Sequence, residues 1–285
     1  IILASGALST PKILMLSGIG KADELKSHGI KPIIDLPGVG ENLIDHPEVP
    51  IIALLNGKYG YYRQGVGWQM IKHGIHFKLF GGGLLNTVGF EAGAFVNPKH
   101  LSEAPTVQAF CVPAIYLDRD LKRIFSENYG VTITTVLCKP KSRGWVRLQS
   151  SDPNKLPLVS PNLLNHEDDL NEIVRGQRFF LEALKNGPLG QRVSRIIAPS
   201  KKMLGTKAMR EHCLRFVKTN YHPCGTARMG AETDLFSVLN SKMQVWDIEN
   251  LRVCDMSVTP NIIAGNTNAL AMVLGERCAE FILGS

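Results

Sequence analysis

Between Gly89 and Leu148 the chain offers one strand candidate after another, with no full-length helix parting the later ones. Gly89–Val96, Val107–Val112, Val131–Leu137 and Gly144–Leu148 are short and rich in β-branched and aromatic residues. Parallel neighbours need a long crossover, usually a helix, whereas antiparallel ones do not. The spacing therefore predicts a middle sheet that is largely antiparallel, with Val49–Leu55 strand-like as well. Helices frame it. Gly65–Leu79 reads as helical and breaks at Gly81-Gly82-Gly83, a mobile or closely packed loop. A second helix begins at Asn165 or Glu167 and runs to Asn186. Its apolar stripe is Leu170, Ile173, Val174, Phe180, Leu181 and Leu184, and Gly187-Pro188 stops it. Thr206–Lys218 is a third.

The two ends of the chain have a different texture. Ile1-Ile2-Leu3-Ala4 reads as a buried strand running into a turn at Gly6, and Ser9-Thr10-Pro11 starts a helix that ends at Ser17-Gly18-Ile19-Gly20. A strand, a glycine turn and a helix N-terminus make a corner that suits an anion. Ala22–His28 is a short helix, and Ile33–Leu36 a strand entering the turn Pro37–Gly40. Towards the C-terminus, Met243–Asp247 and Leu251–Asp255 read as short strands and Ala269–Leu283 as a helix. The class is α/β.

Composition excludes several functions. With 285 residues, 44% of them hydrophobic and 20% charged, the chain buries an ample core in one large domain or two ordinary ones. The net charge of +7 is scattered. Its densest groups, Lys139–Arg143 and Lys201-Lys202, read as solvated faces. Neither is interleaved with aromatics, so no nucleic-acid partner is expected. The six cysteines show no C-x-x-C spacing and read as mostly buried free thiols, with no metal expected. No apolar run has the length of a membrane span. The chain opens on strand-like residues without Met, so a fragment is expected. The compartment stays open, cytoplasmic or membrane-associated.

Chemistry concentrates in Asn220–Gly230. His222 stands between Tyr221 and Pro223, and Gly225-Thr226 turn the chain directly after. Proline stiffens the backbone beside the imidazole, and glycine permits a tight turn or close approach. That holds one titratable ring in a fixed place; a structural histidine is the plainer reading. Pro260–Asn268 forms a second polar point. Cys224 near His222 suggests a metal or a thiolate nucleophile only weakly, because no further ligand and no orienting third group accompany it. Asp45 and His46 read either as a general-base pair or as a structural hydrogen bond. His28, His73, His76, His100, His166 and His212 lie on stretches that look exposed.

Several of these stretches, in order, resemble the glucose–methanol–choline (GMC) family of flavin-dependent alcohol oxidoreductases. Gly6–Gly20 is similar to the family's second signature, and Leu36–Pro47 to the segment that follows it. His222-Pro223-Cys224-Gly225-Thr226 resembles the active-site histidine loop. Leu251–Pro260 with Gly265–Ala269 resembles the C-terminal flavin-contacting segment. The nearest texture is the choline-dehydrogenase-like branch, and only its C-terminal portion.

The resemblance implies a partial FAD-binding, Rossmann-like domain and a substrate domain built on a largely antiparallel sheet plus helices. The divisions are 1–48, 49–222 and 223–285. It implies FAD as cofactor, a small-molecule alcohol as substrate, and oxygen, a quinone or another carrier as electron acceptor. His222 is the implied base and Asn266 its partner at the substrate oxygen, with hydride passing to flavin N5. Gly6, Asp255, Met256, Thr267 and Asn268 are the implied cofactor contacts; the plainer reading of Asn266 and Asp255 is a turn or helix cap. The G-x-G-x-x-G turn that opens such a flavin domain is missing. The alternative expectation is thus a non-catalytic fragment that lacks this cradle and needs a partner half.

Overall fold

The computed structural model describes residues 1–116 and 128–284. The chain divides into two compact units. The first holds Ile1–Pro47, Lys139–His166 and Thr219–Ser285; the second holds Glu48–Cys138 and Glu167–Lys218. The expected uninterrupted middle, 49–222, is thereby corrected. Residues 139–166 leave it for the first unit, and so does His222. The physical reason is local. The Leu43 N–H donates to the Gly144 carbonyl and the Gly144 N–H returns to Leu43, at 3.0 and 2.8 Å, which ties this excursion to the N-terminal segment.

In the first unit, β1 (Ile2–Leu3) leads into α1 (Gly6–Leu16), followed by β2 (Ile19–Gly20), α2 (Ala22–Ser27) and β3 (Ile34–Asp35). β2 and β3 pair in parallel. The helix α1 begins earlier than Ser9-Thr10-Pro11 suggests, so Pro11 stands inside it. Proline has no N–H to return to the carbonyl four residues back, which is Ala7. The buried Thr226 hydroxyl donates to that carbonyl instead, at 2.6 Å. A residue of the His222 loop thus completes the first turn of a helix that lies 219 positions away in sequence.

Leu14, Met15, Leu25, Val238, Val253 and Leu274 belong to one apolar core beneath this layer. Trp145–Arg147, expected in the middle sheet, is corrected. It pairs antiparallel with Leu158–Ser160 as a two-stranded element of the first unit. At the C-terminal end a short strand, Arg252–Val253, lies parallel to β1, with Ile2 opposite Arg252 and Leu3 opposite Val253. The final helix, Asn268–Leu283, starts within one residue of expectation.

The second unit is built on the expected antiparallel sheet. Pro47–Leu55 lies between Val193–Ala198 on one side and Gly130–Leu137 on the other. Val107–Val112 and Ala92–Val96 continue it. The helix Glu167–Asn186 covers this sheet with its apolar stripe; Ile173, Phe180, Leu181 and Leu184 are all buried. Gly176 allows the contact, because a Cβ there would stand 2.8 Å from Thr135 Cγ2. Beside it the buried Gln177 amide donates to the Val49 carbonyl at 2.7 Å and to Thr135 Oγ1 at 3.0 Å.

His212 corrects the expectation of exposure. It lies on the helix Thr206–Phe216, whose buried residues are Met209, His212 and Cys213, the i, i+3, i+4 pattern of a core face. All six cysteines are free, as expected, with Cys111 and Cys254 only half-buried.

Candidate active site

Three loops of the first unit are braided around His222. Residues 44–46 run beside 220–224. The Ile44 N–H donates to the Cys224 carbonyl and the Cys224 N–H returns to Ile44, both at 2.9 Å, and the Asn220 N–H donates to the His46 carbonyl at 2.9 Å. Gly225, at φ +89°, then passes so close to its neighbours that a Cβ would fall 2.5 Å from the Asn42 carbonyl oxygen. Only glycine fits there without displacement. Asn42 donates its amide to the Gly225 and Pro260 carbonyls, each at 3.3 Å, and so joins the histidine loop to the third segment. Arg143 secures the knot from outside, with Nε donating to Asn42 Oδ1 at 2.9 Å and Nη2 to Asn261 Oδ1 at 3.1 Å. Within the basic run Lys139–Arg143, Arg143 is therefore half-buried and committed, a correction to the solvated-face reading.

Tyr221, directly before the histidine, has φ +61°. A bulky residue in the left-handed region costs on the order of 1–3 kcal/mol, held here by the surrounding hydrogen bonds. Its N–H donates to Thr219 Oγ1 at 2.8 Å, and the His222 N–H donates to Asp45 Oδ1 at 3.0 Å. Asp45 Oδ2 accepts from the Thr219 hydroxyl. Burial raises the Asp45 pKa, while those hydrogen bonds pull the other way. Asp45 thus holds the backbone of the loop that carries the imidazole.

The imidazole itself meets a second one. His222 Nδ1 lies 2.9 Å from His46 Nδ1, and the rings meet edge to face with centroids 5.1 Å apart. His46 is buried, and its Nε2 lies 2.9 Å from the Ile263 carbonyl oxygen. A carbonyl can only accept, so Nε2 of His46 carries a proton. In a neutral His46, Nδ1 is then an acceptor, which assigns the proton between the rings to His222 Nδ1. Asn220 also reaches this atom, with its amide Nδ2 at 3.2 Å. His222 Nε2 is left with its lone pair. Burial lowers the His222 pKa, which favours that neutral form.

Asn266 is exposed, three residues beyond Ile263 in the same loop, and Thr267 is buried at the start of the final helix. Asp255 follows the β1-paired strand closely, which brings it to the start of α1. Its Oδ2 accepts from the Gly6 N–H at 3.0 Å and from the Thr10 hydroxyl at 2.6 Å, and its Oδ1 from the Ser257 N–H at 2.7 Å. The carboxylate is used up in organising a helix N-terminus. Open space faces Gly6, where a Cβ would meet nothing within 4 Å, and φ is +80°. The Met256 carbonyl accepts from the Gly225 N–H at 3.1 Å, so the 255–258 turn and the histidine loop are one assembly. The Cys224 thiol is buried and pushed up to about 11, chiefly by burial, which keeps it protonated at neutral pH. No metal-ligating cluster occurs among the described residues.

His46, Asn42 and Arg143 are the residues that reading by single motifs undervalues. One signal was available: His46-Pro47 and His222-Pro223 are the same dipeptide, and both present their histidine to the same place.

Two domain models described as GMC oxidoreductase match residues 1–48 and 140–275, and the chain belongs to that family. Among its relatives, an alcohol dehydrogenase (acceptor) of Pseudomonas putida is 35% identical over 99% of this chain and 51% of its own length. An oxygen-dependent choline dehydrogenase of Brucella anthropi is 33% identical over 100% and 51%. The structure of a formate oxidase of Aspergillus oryzae superposes with a TM-score of 0.89 at 27% identity, covering 99% of this chain and 54% of that one. The chain spans about half the length of the relatives it matches.

Proposed function

We propose that this chain carries the catalytic base and part of the cofactor site of an FAD-dependent oxidoreductase that oxidises an alcohol to an aldehyde or ketone. The observation that carries this reading is the contact of His222 Nδ1 with His46 Nδ1 at 2.9 Å, which engages one ring nitrogen from behind and leaves Nε2 for a substrate. A base must have a free lone pair and a pKa that leaves it unprotonated at working pH.

The residues at the helix starts fit a flavin. The α1 N-terminus opens at Gly6 on free space, and Asp255 holds it in place without offering a bare charge to a phosphate. Gly6, Asp255 and Met256 with Thr267 and Asn268 at the start of the final helix would hold the group. FAD is named for the formate oxidase neighbour. The chemistry it supplies when bound is acceptance of the carbon-bound hydride at N5.

His222 Nε2 takes the hydroxyl proton, and the resulting imidazolium keeps Nδ1–H directed at His46. The Asn266 amide donates to the oxygen on which negative charge develops. The substrate is a small alcohol, as the names of the dehydrogenase relatives suggest. Oxygen, a quinone or another carrier reoxidises the system.

The test is spectroscopic. The purified protein should carry a flavin absorbance that bleaches when an alcohol is added without oxygen, and His222→Ala should stop the bleaching. Bleaching that persists in His222→Ala removes His222 as the base. A colourless protein would instead favour the alternative, a piece that works only with a partner half.

A further inference from the structure

We propose that the helix Gly67–Phe80 docks this protein on an anionic lipid bilayer, lying along the surface.

The helix is unusual in burying none of its residues. A soluble helix of this length normally sinks one apolar stripe into a core. Here the stripe exists and faces outward. Trp68, Ile71, Ile75 and Leu79 stand at the i, i+3, i+7, i+11 spacing of a single helix face, and they are 72%, 48%, 51% and 68% exposed. Lys72 and Lys78 border that stripe, since Lys72 is four residues after Trp68 and Lys78 three after Ile75. Both are exposed and form no ion pair among the described residues. Phe80 ends the helix at 74% exposure, and Gly81 closes it in the left-handed conformation, with its N–H on the Phe77 carbonyl at 2.8 Å. Beyond it Leu85, Val88 and Phe90 are exposed as well.

Charge selects the occupant. Between Glu48 and Glu91 there is no acidic residue, while Lys58, Arg63, Lys72 and Lys78 all fall within that stretch. An apolar protein partner would meet the stripe equally well, but it would not account for a cationic border free of acids. A bilayer with anionic headgroups accounts for both. Trp and aliphatic side chains enter the boundary between headgroups and acyl chains, and lysine stems reach back to the phosphates. The helix, 14 residues long, is too short to span, because a span takes about 20. No helix among the described residues is long and apolar enough to cross a membrane.

The test uses the whole protein with vesicles of phosphatidylcholine, with and without phosphatidylglycerol. Co-sedimentation is expected only with phosphatidylglycerol. Brominated acyl chains should quench tryptophan emission, and Trp68→Phe, which leaves Trp145 and Trp246, should remove the quenching. K72Q with K78Q should weaken binding about thirtyfold, and Ile75→Ser should weaken it too. All these side chains are exposed, so the fold should survive, and an unchanged circular dichroism spectrum checks it. Three outcomes overturn the proposal: no binding to either vesicle, binding that ignores these substitutions, or a concentration-dependent dimer that Ile75→Ser dissolves in the absence of vesicle binding. The last would make the face a contact between copies of this chain.

Discussion

His46 Nδ1 stands 2.9 Å from His222 Nδ1, and the far side of His46 is anchored on the Ile263 carbonyl. One buried ring thereby sets the tautomer of the other. Replacing His46 with Leu removes the acceptor for the His222 Nδ1 proton and frees that ring to turn. Turnover with alcohol in the complete protein should fall on the order of tenfold to a hundredfold. His46→Gln, which keeps an acceptor, should recover part of it. Steady-state kcat for the two variants is the measurement, and equal losses would show that the ring's bulk matters and its hydrogen bond does not.

His222→Ala should cost more, on the order of 10²–10⁴ in kcat, with flavin absorbance retained. The pH profile follows from the sign of the His222 shift. Burial lowers its pKa from 6.5, so the neutral, proton-accepting form persists into mildly acid solution. The acid limb of kcat/KM should lie below pH 6.5. A limb well above it would assign the titration to another group.

Thr226 and Pro11 make a second, purely structural pair. Thr226→Val takes the donor from the buried Ala7 carbonyl and should destabilise the protein by about 1–3 kcal/mol in urea denaturation. Pro11→Ala restores a backbone N–H able to reach the same carbonyl. In the double variant the loss should shrink, and a coupling near zero in the four-way cycle would refute the compensation.

Acid stability should depend on His212. Neither of its ring nitrogens makes a well-formed hydrogen bond among the described residues, and burial pushes its pKa from 6.5 down to about 4; the Pro50 backbone opposes this weakly. The unfolded chain takes up a proton below pH 6.5 that the folded chain refuses until about 4. Stability is therefore lost as pH falls through that window, by on the order of 3 kcal/mol. The Asp45 shift has the opposite sign, since its raised pKa makes the folded state hold a proton more readily. His212→Leu should flatten the loss between pH 6.5 and 4, measured as the urea midpoint against pH.

Much of this is legible in residue order alone. The apolar stripe from Leu170 to Leu184 specifies a helix with one buried face, because the helical period is local chemistry. The strands of the antiparallel sheet are legible as short runs of β-branched and aromatic residues. The place of Trp145–Arg147 is not legible, since a strand's composition says that it pairs but not with which partner. Nor is the burial of His212, because its helix is mixed in character and only the neighbouring surface decides which side sinks.

Around His222 the division is sharper. The sequence by itself determined the stiff His-Pro step, the glycine that alone tolerates φ +89°, and the order of segments by which the family is recognised. Tertiary structure alone decided that His46 lies behind His222, that Asp45 holds its backbone, and that Thr226 completes a helix begun at Gly6. Those pairs are 176, 177 and 219 residues apart. Hydrogen bonds act over about 3 Å, and no local preference encodes a partner so far along the chain; only the packed fold brings it within reach.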